Sequence, residues 1–254
     1  MLSYFANPVR FQALSKWISP ILGIGAIILI IPSWIMALFI VPADYQQGDT
    51  FRIMYVHVPA VFAASGAYAF LAIASFFSFV WRHPLADTAA RVAAPIGAAF
   101  TFLGLFTGAL WGKPMWGAYW VWDARLTSTL VMLFLFLGYM AIRAAIRDEN
   151  SSARIGAIAA MAGAINLPIV KYSVEWWSSL HQSASISLSG SEIDNSMSTT
   201  LFVGIIGYFC LFGWLVINNM LSELDARKAR ALVIRSSDQR PSTASKQMTE
   251  NPDA

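Results

Sequence analysis

The sequence predicts an all-α, polytopic membrane protein with six transmembrane helices and both termini in the cytoplasm. Three observations carry that expectation. Of the 254 residues, 57% are hydrophobic and only 12% are charged, against about half and about a quarter in an ordinary soluble domain. Six stretches reach, or nearly reach, the roughly 20 apolar residues that a helix needs to cross hydrocarbon. Lys and Arg are shared unequally between alternate loops, and an excess of such charge marks the cytoplasmic side.

The six stretches are residues 18–41, 53–81, 92–111, 126–142, 155–170 and 199–221. The first is longer than the roughly 7–15 residue core of a signal peptide and lacks a convincing cleavage site, so it is expected to stay as an anchor. The third holds Gly104 and Gly108, a G-x-x-x-G spacing that lets a neighbouring helix approach closely. The fifth is the shortest and carries Asn166 and Pro168, which leaves its lower end least defined. No Asp, Glu, Lys, Arg or His lies well inside any of the six. The middle of the membrane domain therefore reads as structural rather than as a proton or solute path.

Thirteen of the 17 Lys and Arg fall on one side, near the N-terminus, at 82–91, at 143–154 and after 221. Only Arg52, Lys113, Arg125 and Lys171 fall on the other. Residues 1–221 form the expected membrane domain. Residues 222–254 form a cytoplasmic tail whose polar run from about 235 has no apolar period and reads as largely disordered. Cys210, the single cysteine, excludes a disulfide framework, a C-x-x-C pair and a C-x-x-C-H haem attachment sequence. The charges do not gather on one face as nucleic-acid binding would require. No G-x-x-x-x-G-K-[ST] is present, so any ATP hydrolysis belongs to a partner.

Chemistry concentrates in the outward segment between the third and fourth helices. Trp111, Trp116, Tyr119, Trp120 and Trp122 precede Asp123 and Arg125. An aromatic belt at headgroup level accounts for one or two Trp per helix end, not for four in twelve residues. Trp116 and Trp120, spaced i,i+4, could share a helical face. Large flat faces with N–H handles suit a flat apolar ligand with a polar edge. Asp123 is expected to cap the fourth helix. Of the three histidines, His83 reads as a solvated residue of an inner loop. His57 is expected just outside the second helix, whose first turn Pro59 suits. His181 follows Trp177 by four residues and could share its face. An isolated interfacial His is ordinarily a surface residue, but two on the side of the Trp cluster form a more specific arrangement. Neutral imidazoles could ligate haem iron; a zinc site would need more ligands than Glu175 and Asp44 offer at their spacing. Arg52 and Arg125 either contact headgroups or pair with anionic ligand edges such as haem propionates.

Residues 52–59 (R-I-M-Y-V-H-V-P), 111–125 and 178–182 (S-S-L-H-Q) together resemble the WWD family of haem-handling membrane proteins, over about the first 220 residues. Six spans, one Trp-rich loop and a length near 250 are similar to the short members that serve cytochrome c maturation. The resemblance implies that haem (as haem b, bound in transit) is held at the outer, periplasmic face of a bacterial inner membrane. The Trp platform would contact the macrocycle, with His57 and His181 as axial ligands. Delivery would be to a periplasmic haem chaperone (CcmE), with ABC transporter subunits (CcmA and CcmB) and a small single-span subunit (CcmD) as further partners beside membrane lipids. A classical enzyme is not expected; assistance to covalent attachment of haem to the chaperone stays open. The alternatives are a permease subunit of an ABC-type haem exporter and, behind it, a b-type electron carrier. Neither has the mid-depth charged groups, broken helix pairs or His at two depths that its chemistry calls for.

Overall fold

A computed structural model describes residues 7–177, 181, 186–187, 190–191 and 194–238. Helix α1 spans Pro8–Ile35 and ends in a π-helical turn, Met36–Ile40; a short 3-10 turn, Asp49–Ile53, leads into α2, Met54–Trp81. Helix α3 is Pro84–Trp116 and α4 is Ala124–Ala145, while the fifth span is broken into α5, Glu149–Gly163, and α6, Asn166–Trp176. Two short paired strands, β1 (Ile186–Ser187) and β2 (Gly190–Ser191), precede α7, Asn195–Asp238. With the broken fifth span counted as one, six rods among the described residues are long and apolar enough to cross a membrane.

Side-chain size sets the packing. In lipid, apolar surface gains nothing by leaving the bilayer core, so helices associate where small residues let backbones come close. The seam between α2 and α3 is such a surface: Ala60, Ala63, Ala64 and Ala67 of α2 and Ala90, Ala93 and Ala94 of α3 are all buried in one core cluster, and a Cβ on Gly97 would stand 3.1 Å from Ala67 Cβ. Helix α1 lies at the edge of the bundle against α7, where Gly23 meets Trp214 and Gly207 meets Ile30. Its remaining face, including Ile24, Ile28 and Ile31, is exposed, as a lipid-facing helix requires. At the end of the bundle remote from the Trp-rich segment, Arg143 donates to Asp87 from both terminal guanidinium nitrogens, Nη1 and Nη2, tying α4 to the first turn of α3.

Element ends depart from the sequence expectation. Helix α3 runs five residues past 111, as far as Trp116, where Gly117 takes a left-handed φ of 75° and closes the helix. Trp120 therefore lies outside the helix, and the expected common face with Trp116 does not form. Helix α6 ends at Trp176, so Trp177 and His181 share no helical face either. The fifth span breaks at Ala164–Ile165 because Pro168 has no N–H to continue the ladder. Buried Asn166 donates instead across to Ser128 O at 2.9 Å, which pins the break against α4. His83 is the N-cap of α3 rather than a free loop residue, its Nδ1 accepting from Ala86 N at 3.2 Å. The sixth span does not stop at 221: α7 continues to Asp238, so the expected tail begins as helix. Residues 239–254, and 178–180 and 182 beside His181, lie outside the described residues.

A histidine and tryptophan site at one end of the bundle

One end of the bundle is built from the turn before α2, the last turns of α3, the first turn of α4 and the segment holding His181. His57 is not outside the second helix, as its sequence position suggested, but the fourth residue of α2. Its Nδ1 lies 3.0 Å from Gly104 O and 3.2 Å from Thr107 Oγ1. A carbonyl can only accept, and the Thr107 hydroxyl proton is already given to Leu103 O at 2.7 Å. Nδ1 must therefore be the protonated nitrogen, which leaves the ring lone pair on Nε2. The G-x-x-x-G stripe makes this contact: a Cβ on Gly108 would stand 3.0 Å from His57 Cε1, and one on Gly104 would stand 2.9 Å from Val61 Cγ2.

Trp111 meets the His57 ring edge-on, with centroids 5.8 Å apart. Its indole Nε1 donates to Gln47 Oε1 at 2.9 Å. Asp44 shapes the turn that brings Gln47 there, accepting from the N–H groups of Gln46 and Gln47 at 2.9 and 2.8 Å. Gln47 had no signal in the sequence, since it is 64 residues from its partner.

Five residues further along α3, Trp116 packs against the ring of His181 at 4.7 Å. Asp123 caps α4 as expected, accepting from Leu126 N at 2.8 Å, and its Oδ2 lies 2.6 Å from His181 Nδ1. The free N–H groups of the first turn of α4 favour a charged carboxylate at that position. An ionised carboxylate only accepts, so His181 also carries its proton on Nδ1 and its lone pair on Nε2. Burial pulls the His181 pKa below its ordinary 6.5, partly offset by the hydrogen bond and charge of Asp123 and reinforced by Arg125. At neutral pH the ring is therefore uncharged.

The other aromatic residues differ in surroundings. Trp122 is 78% exposed and Tyr119 58% exposed, and Trp122 stands edge-on to Trp120 at 5.4 Å. The indole N–H of Trp120 is buried without a hydrogen-bond partner among the described residues. Lys113 donates to Gly117 O at 2.9 Å and covers the Tyr119 ring, so it serves the end of α3. The two arginines separate. Arg52 binds within the chain, to Asp49 at 2.9 Å, to Val41 O at 3.0 Å and to Ala37 O, where it satisfies the carbonyls that end the π-helical turn. The Arg125 carbonyl accepts from Ser128 Oγ and Thr129 Oγ1 at 3.1 and 2.8 Å, whereas its guanidinium makes no hydrogen bond or ion pair among the described residues.

Six helices long and apolar enough to cross a membrane, with imidazole and indole rings gathered at one end, define a multi-pass membrane protein. The chain belongs to the heme exporter protein C (CcmC) family, whose model matches residues 1–235. It is 47% identical to the heme exporter protein C of Bradyrhizobium diazoefficiens over 228 residues, covering 89% of this chain and 86% of that relative. It is 43% identical to the protein of the same name in Escherichia coli K12, covering 86% and 89%. The Paracoccus denitrificans protein of that name is 35% identical, covering 91% and 96%.

Proposed function

We propose that this chain is a haem-handling protein of cytochrome c biogenesis that holds haem at the periplasmic face of the bacterial inner membrane. The observation that carries the reading is shared by His57 and His181. Each has Nδ1 committed to an oxygen of the scaffold, so each offers Nε2 as the basic nitrogen. A metal-ligating His is ordinarily arranged in this way, with its second nitrogen donating to a carboxylate or carbonyl that fixes tautomer and ring orientation. Both rings pack on indoles of the Trp-rich segment, and Trp120 and Trp122 extend the aromatic surface. Such surfaces suit a macrocycle. The names of the relatives supply the class of cargo.

In this reading His57 and His181 ligate the iron, and Trp111, Trp116, Tyr119, Trp120 and Trp122 contact the ring. Arg125 takes a propionate, while Arg52, occupied within the chain, shapes the wall. Asp123 keeps His181 in the ligating tautomer. Release follows when one imidazole yields its position to a ligand on the periplasmic chaperone, CcmE. CcmA, CcmB and CcmD complete the assembly, and ATP is used by a partner. The excess of Lys and Arg at the opposite end of the bundle supports the periplasmic side for this site.

The test is a haem titration of the purified chain in detergent, followed by addition of the soluble chaperone domain. The reading expects saturable binding with one haem per chain, weakened by His57→Ala and by His181→Ala, and transfer to the chaperone. Equal binding by the parent and the doubly substituted chain contradicts it.

A further inference from the structure

At the opposite end of the bundle, α3 and α7 part to leave a groove of about 750 Å³. Its deep walls are apolar, formed by Ile96, Ala99 and Phe100 of α3 and by Leu211 and Leu215 of α7. Its mouth carries Arg91 and Glu223. Three guanidinium groups converge there on one carboxylate oxygen: Arg91 at 3.6 Å, Arg227 at 3.1 Å and Arg230 at 3.4 Å from Glu223 Oε1. The nearby Asp225 is matched by Lys228 at 3.7 Å. The mouth therefore holds two positive charges more than its own carboxylate balances.

From Arg91 to Phe100 the α3 wall holds ten residues, nine steps that span about 14 Å at the helical rise. That is close to half of a hydrocarbon layer of about 30 Å. The groove thus has the depth of one leaflet, apolar below and cationic at headgroup level. A partner helix crossing the whole membrane would need a groove twice as deep.

We infer that this groove is a binding site for an anionic glycerophospholipid of the leaflet at that end, an acyl chain lying along Phe100 and Leu215 and the phosphate meeting Arg91 and Arg230. Arginine suits the phosphate because its planar fork can donate two parallel hydrogen bonds. The inference is independent of the haem site.

Native mass spectrometry of the purified full-length chain, with phosphatidylglycerol or phosphatidylcholine of identical tails, reads the site directly. The phosphatidylglycerol adduct should persist at collision energies that strip phosphatidylcholine. Arg91→Gln and Arg230→Gln should each lower phosphatidylglycerol retention about fivefold. Ala99→Trp fills the groove from an exposed position and leaves the arginines alone; it should abolish the adduct while the thermal midpoint stays at the parent value. Equal retention of the two lipids, or full phosphatidylglycerol retention in Ala99→Trp, overturns the inference. The first outcome would mean nonspecific lipid, and the second a surface charge effect without a seated tail.

Discussion

The carboxylate of Asp123 joins the start of α4 to His181, one oxygen 2.8 Å from Leu126 N and the other 2.6 Å from His181 Nδ1. A single side chain thus sets where a helix begins and which nitrogen of a distant imidazole is basic. The two roles separate by substitution. Asn caps a helix as well as Asp does, but it is a neutral and weaker acceptor for an imidazole N–H. Asp123→Asn should keep the thermal midpoint near the parent value and lower haem affinity about 10- to 100-fold, the usual effect of losing such an outer partner. Asp123→Ala should also lose about 1 kcal/mol of stability with the cap. Haem titration and thermal unfolding of both variants measure the two effects apart.

The lowered pKa of His181 fixes a pH dependence. The unfolded chain binds a proton near 6.5 that the folded ring resists, so between the folded pKa and 6.5 the unfolded state holds more protons. Stability from the docked neutral ring is then complete above 6.5 and declines as pH falls through that window. The thermal midpoint should drop on acidification below about 6.5, and His181→Gln should flatten that slope. Haem retention should fall in the same direction as protons compete for Nε2.

Gly108 and Gly104 make different contacts, so adding one methyl group to each gives different outcomes. A Cβ at Gly108 crowds His57, and one at Gly104 crowds Val61. Both alanine variants should lose about 1–3 kcal/mol through overpacking. Gly108→Ala alone should also shift the haem absorption spectrum, because the displaced ring is the ligand. Equal spectra for the two variants would argue against His57 at the iron.

The two outward arginines should behave oppositely. Arg52→Gln removes donors from Ala37 O and Val41 O; charged hydrogen bonds of this kind contribute about 1.5–3 kcal/mol each. A fall in thermal midpoint with haem affinity preserved is expected. Arg125→Gln should preserve the midpoint and weaken haem binding about tenfold, the lower end of what a charged hydrogen bond contributes. Isothermal titration beside differential scanning calorimetry separates the two.

The spans were legible because a run of about 20 apolar residues is a strong and local signal. Helix ends were less so. The expected third span ends at Trp111, yet α3 runs on through Pro114 and Lys113 satisfies a carbonyl at its end. Gly117 was the available stop signal, since a left-handed residue just past the last turn is a common helix ending. The Asp123 cap was legible from its place before an apolar run. Its contact with His181, 58 residues away, was not, because nothing local encodes a partner brought in by folding. The same holds for Gln47 on Trp111 and for Gly104 O on His57. Arg52 and Arg125 look equivalent in sequence; only the turn that ends α1 shows that one is already occupied.

The most direct test of the central claim is the absorption spectrum of the purified chain loaded with haem, oxidised and reduced, beside His57→Ala and His181→Ala. The account predicts a six-coordinate bis-histidine spectrum in the parent, converted to five-coordinate or lost in each variant. A parent that takes up no haem, or variants whose spectra match the parent, would contradict it.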